Sequence, residues 1–175
     1  MPEAWLRGPI PGVSAPLMPV AHSLVDAGEE IGPAVAGLTR DQLWARPGGA
    51  ASVGFHLRHI VGSLDRLLTY ARGESLTEEQ MDFLRAEGTP REASDGPGTE
   101  AERLVAAMHR AIEDALEVLR TTPIDQLDEP RGVGRAQLPS TVRGLLFHAA
   151  EHTRRHAGQI IATAGIVRGM GLGDG

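Results

Sequence analysis

The 175-residue chain contains no cysteine. Disulfides, a protein thiolate nucleophile and sulfur-ligated zinc are therefore excluded, and covalent or metal chemistry must rest on His, Asp, Glu or Ser. Aromatic residues make up only 3%, so the core has to be built from Leu, Val, Ile and Ala, whose volumes suit helices packed side by side. No apolar run approaches the ~18 residues that span a bilayer. The opening "MPEAWLRGPIPG" has neither the basic start nor the apolar stretch of a secretory signal. A cytoplasmic protein with no membrane partner is expected. Basic charge is also in short supply, with 17 basic against 23 acidic side chains and a net charge of -6. Pieces such as "HTRRH" are too short and too well balanced by nearby acids to form a phosphate-binding face, so no nucleic-acid partner is expected. What remains is ordinary globular usage, 41% hydrophobic and 23% charged, in a length that suits one domain.

Proline and glycine divide the chain. Residues 1–16 hold Pro2, Pro9, Pro11 and Pro16 with Gly8 and Gly12, which predicts an irregular N-terminal segment. A first helix should begin near Leu17 and be kinked or ended by Pro33. Thr39 with Gln42, Thr77 with Gln80 and Thr99 with Glu102 have capping-box spacing and predict three further helix starts. Residues 52–72 place Val53, Leu57, Ile60, Leu64, Leu67, Leu68 and Ala71 on one stripe at steps of three and four, a second long helix. The Thr99 helix should bury Leu104, Ala107, Met108, Ala111, Ala115 and Leu119 and stop before Pro123. A last helix should start after Pro139 and run to about Ala164, where Gly165 and "RGMGLGDG" end it. No segment alternates convincingly enough to be a strand. The expected architecture is all-α: a four-helix bundle over residues 17–166, with short extra helices in its connections and a flexible Gly-rich tail at 167–175.

Within the last helix, "FHAAEHTRRHAGQI" spaces His148, His152 and His156 four residues apart. At roughly 100° per residue, His156 lies about 40° from the middle of the apolar stripe, His152 about 80° and His148 about 120°. His152 and His156 can thus converge on one atom at the edge of the buried face, while His148 points towards solvent. The second helix offers "HLRH", His56 and His59, on or near its flank, and facing bundle helices are where metal sites are assembled. Three imidazoles leave a coordination position open, as catalytic rather than structural zinc sites do. His22 and His109 are isolated and read as ordinary side chains. "HAAEH" matches the inverted zinc-protease pattern, which wants a carboxylate well downstream; only Asp174 follows.

"SVGFHLRHI", "LTRDQLWARPGG" and above all "EHTRRHAGQI" resemble the DinB-like superfamily of four-helix bundles, which includes bacillithiol- and mycothiol-dependent enzymes. The resemblance runs from about Leu17 to Ile166. It implies a divalent metal, nickel or zinc, held by one histidine of the second helix and an i, i+4 pair of the fourth, which fall on His59, His152 and His156. Periodicity alone favours His56, about 70° from the centre of its stripe against about 130° for His59, so His56 stands as the alternative to His59. The resemblance also implies a homodimer, a small-molecule substrate and a low-molecular-weight thiol as cosubstrate. Glu87 is a candidate fourth ligand or base, whereas Glu151 and Asp65 fall on outer faces. Gly158 suits close helix approach, and Gln159 has no evident ligand role. The expected function is that of a metal-dependent thiol transferase or hydrolase. The alternative is a non-enzymatic dimeric bundle with a structural, binding or stress-related role.

Overall fold

The computed structural model describes residues 1–90 and 98–171. Among the described residues six α-helices follow one another: α1 (Met18–Val35), α2 (Arg40–Trp44), α3 (Val53–Ala71), α4 (Glu78–Ala86), α5 (Glu100–Thr121) and α6 (Val142–Gly169). The four long ones form the bundle. Helix α6 lies between α1 and α3, and α5 closes the ring by packing on both of them. Leu24 and Ile31 of α1, Leu57, Ile60 and Leu64 of α3, Met108 and Leu119 of α5 and Leu146 and Ile160 of α6 fill its centre, each less than 2% exposed.

Local chemistry starts the helices. Thr39, Thr77 and Thr99 each accept a bond from the backbone N–H three residues on, and Gln42, Gln80 and Glu102 return one to the threonine N–H. All three expected capping boxes are therefore present. Ser52 and Thr141 cap α3 and α6 in the simpler way, through Phe55 and Gly144. Helix α1 runs only two residues past Pro33, and Gly37, at φ +76°, turns the chain away.

Several expectations are corrected. Helix α6 passes through Gly165 to Gly169, because Ala164 and Val167 are both fully buried and that burial outweighs the roughly 1 kcal/mol helix penalty of a glycine. Residues 167–169 thus belong to the bundle, while 172–175 lie outside the described residues. The buried face of α5 includes Ile112 and Leu116 in addition to Met108, Ala115 and Leu119, and leaves Leu104, Ala107 and Ala111 only partly covered. This helix must face both α1 and α3, so its stripe is broader. Residues 4–6 form a 3₁₀ turn within the N-terminal segment, and Ala4 is buried with its N–H bonded to Asp26.

The connection expected to lack strands contains an antiparallel hairpin, β1 (Pro130–Val133) with β2 (Leu138–Thr141). Arg131 ties it to the C-terminal end of α3 by donating to the Ala71 carbonyl at 2.8 Å. The stretch "SDGPG" ahead of the Thr99 cap, whose composition reads as a loop, lies outside the described residues except for Gly98. Among the described residues, no helix is long and apolar enough to cross a membrane.

Candidate metal centre

His56 contacts His156 and His59 contacts His152, so α3 and α6 run in opposite directions at this level. The helical spacing within each pair then brings four imidazoles together. His59 Nε2 is 2.9 Å from His152 Nε2, which is 3.2 Å from His156 Nε2. Taking one nitrogen from each of His59, His152 and His156, the three lie within 4.8 Å of one another and could hold a metal ion. His56 is set behind this group, with Nδ1 2.9 Å from Nδ1 of His156. Its inward position, 5% exposed, is what periodicity implied; yet it is the flank residue His59 that faces the α6 pair.

Glu87 occupies a different place from the one its candidacy as ligand or base implied. It caps the end of α4 and is 2% exposed. Its Oε2 accepts from His59 Nδ1 at 2.7 Å and its Oε1 accepts from Arg66 at 2.7 Å. The carboxylate thus supports the far side of the His59 ring instead of entering the group. Arg66 stands two helical turns after His59 on the same face of α3, a spacing that could have flagged it. Gly62 lies between them and was also missed. A Cβ there would overlap the Glu87 carboxylate and come within 2.7 Å of Arg66 Nη1 and 2.8 Å of Phe83. An alanine in mid-helix normally gains 0.5–1 kcal/mol over glycine, but overpacking costs typically 1–3 kcal/mol. Gly62→Ala should therefore destabilise the fold by about 1–2 kcal/mol and loosen His59, which urea denaturation and imidazole NMR can check.

The remaining candidates fall outside the group. His148 is exposed and 3.4 Å from Glu151, which also binds Arg155. This leaves the inverted zinc-protease pattern without its second ligand. His22 and His109 donate to the Gly8 and Gly28 carbonyls. Asp65 is exposed. The Gly158 position is open, with nothing near an added Cβ, so it permits no close helix approach.

The residues fit a cation on two counts. The Glu87 carboxylate requires the proton of neutral His59 to sit on Nδ1, so Nε2 turns a lone pair toward His152. Two nitrogens bonded to one ion at about 2.0–2.1 Å stand about 2.9 Å apart at right angles and about 3.4 Å apart in a tetrahedron. The two nitrogen separations about His152 fall in that interval.

Burial, followed by the neighbouring imidazoles, lowers His156 to about 3, and His56 and His152 to about 4. These rings stay neutral, as a ligand must, well below pH 6. Because the unfolded chain takes up their protons first, the linked stability is intact above about pH 6.5 and is lost as pH falls towards 4. Chelator-treated protein should show a urea midpoint that drops across this window, and His156→Gln should reduce the drop.

The sequence profile of the DinB superfamily matches residues 23–160, a span that includes all three histidines of the group. A conserved protein from Enterococcus faecalis, known from its crystal structure, has the same fold. It superposes with a TM-score of 0.65 over 87% of this chain and 97% of that one, at 19% sequence identity. No curated protein sequence matches the chain.

Proposed function

Because the chain belongs to the DinB superfamily, we propose that it is a metal-dependent enzyme of thiol-transferase or hydrolase type, with His59, His152 and His156 holding one divalent ion, nickel or zinc. The observation that carries this reading is the convergence of three imidazole nitrogens from α3 and α6 on one place. When bound, the ion supplies Lewis-acid chemistry, lowering the pKa of a water or thiol that reaches it.

The protein's own groups prepare that place. Glu87 fixes the His59 tautomer and ring angle, and Arg66 balances the Glu87 charge from the other side. Phe55 stacks on His59, with ring centres 5.3 Å apart and planes 14° from parallel, and shields one face of the ligand from water. Imidazoles that hold an ion do so as neutral ligands, and the adjacent carboxylate is already paired. The site therefore favours an anionic incoming group, such as a thiolate, over a neutral one. Since the chain has no cysteine, that thiol must arrive as a small molecule. The same reading makes the protein a cytoplasmic homodimer acting on a small substrate.

A second reading, a dimeric bundle with a binding role, draws on the exposure of Phe147, Ile161 and Ile166 along α6. Elemental analysis of protein purified without a metal-affinity tag should find about one ion per chain, matching the one three-His group among the described residues. The metal-bound protein should then conjugate an electrophile with one of a panel of low-molecular-weight thiols, or hydrolyse simple esters or amides. Bound metal with no turnover in any of these assays would favour the second reading.

A further inference from the structure

The geometry points to His56 as a positioning residue that fixes the tautomer of His156: its Nδ1 accepts a hydrogen bond from His156 Nδ1–H and thereby keeps the His156 Nε2 lone pair free for an ion. This rests on the reading of His156 as a ligand.

The two Nδ1 atoms are 2.9 Å apart. One must carry a proton and the other a lone pair, since two lone pairs or two N–H groups at that distance repel. Nothing about the pair alone decides which. The decision comes from the opposite edge of His156, where Nε2 lies 3.2 Å from His152 Nε2 and belongs to the group that His59 completes. If His156 is to present a lone pair there, its proton must sit on Nδ1. His56 then has to accept on Nδ1 and carry its own proton on Nε2. Burial makes the arrangement strict, because His56 is 5% and His156 9% exposed, leaving water little access to substitute as the acceptor.

The centre would thus have two different supports. His59 is backed by a charged group, Glu87, while His156 is backed by a neutral imidazole that adds no negative charge. An acidic residue at position 56 would also fix the tautomer, but it would offset part of the charge of the ion and weaken its pull on an anionic substrate. A histidine orients the ligand without that loss. The helical spacing supports the assignment: residues 56 and 59 are one turn apart on α3, as 156 and 152 are on α6, so one antiparallel register sets both the His59–His152 contact and the His56–His156 contact.

The test reads tautomers directly. Two-bond ¹H–¹⁵N correlation spectra of the imidazoles in full-length wild-type protein, without metal and with one equivalent of Zn²⁺, should show His156 protonated on Nδ1 and His56 protonated on Nε2. The reverse pattern overturns the proposal in either state. His56→Leu keeps the volume and removes the acceptor, and should weaken Zn²⁺ binding about 10–100-fold. His56→Asn places a carbonyl near the former Nδ1 and should restore affinity to within about threefold of wild type, less than the typical loss of an outer support. Equal affinities in all three proteins would also overturn it. If the leucine variant fails to fold, the wild-type tautomers and the asparagine variant still decide. A wild-type protein that binds no Zn²⁺ would defeat the ligand reading, whereas the metal-free tautomers would still judge the role of His56.

Discussion

Replacing His152 by alanine is expected to lower the metal content from about one ion per chain to less than about a tenth of that after dialysis, since the two remaining imidazoles no longer make a three-point site. His152 is the member whose Nε2 stands within 3.2 Å of both of the others, so its loss removes the nitrogen that links them. The metal-free fold should change little. The ring is only partly buried, and its Nδ1 is unpartnered among the described residues, so removing it also removes an uncompensated polar group. The large effect should appear on adding metal. An ion at a hundredfold its dissociation constant stabilises the folded state by about 2.7 kcal/mol, worth roughly 5–10 °C in Tm at this chain length. Wild-type protein should show that rise with Zn²⁺ or Ni²⁺ and His152→Ala should not. An unchanged metal content in the variant would remove His152 from the ligand set.

The second large effect is expected at Glu87. Its side chain is 3% exposed and that of Arg66 11%, so solvent screens their interaction little. Glu87→Ala strands the Arg66 guanidinium and leaves His59 Nδ1 without an acceptor. Breaking a buried pair by removing one partner costs about 3–5 kcal/mol; with Arg66 still in slight contact with water, we expect about 3 kcal/mol in urea denaturation. Metal affinity should fall about 10–100-fold, because the ring keeps neither its tautomer nor its angle. Glu87→Gln separates the two roles. The amide oxygen can serve either His59 or Arg66 but carries no charge, so affinity and stability should both lie between wild type and alanine. Were Glu87→Ala to bind Zn²⁺ as tightly as wild type, the carboxylate would be a support of the fold and not of the ligand.

The positions most visible in the sequence were those whose interactions are short-range. The i, i+4 spacing of His152 and His156 survives in any helix, and each capping box is closed within three residues. The α3 stripe was equally plain, since Val53, Leu57, Ile60 and Leu64 recur at the helical period and all four are buried. The hairpin was not visible, because four-residue strands with a partly exposed face carry no alternation to read. Nor was the end of α6, where Gly165 signals a stop that the burial of Val167 overrides.

By itself, then, the sequence determined the helices, the all-α class and a metal-compatible pair on α6, since each follows from neighbours a few residues apart. Only the tertiary structure decided that His59 faces that pair while His56 stands behind it. The same holds for Glu87, which turns its carboxylate to the back of His59, and for Gly62, which makes room for it. The hydrogen-bonded contacts among them join residues 28 to 100 positions apart. Their geometry depends on the relative rotation and register of whole helices, which the period of any single helix does not specify.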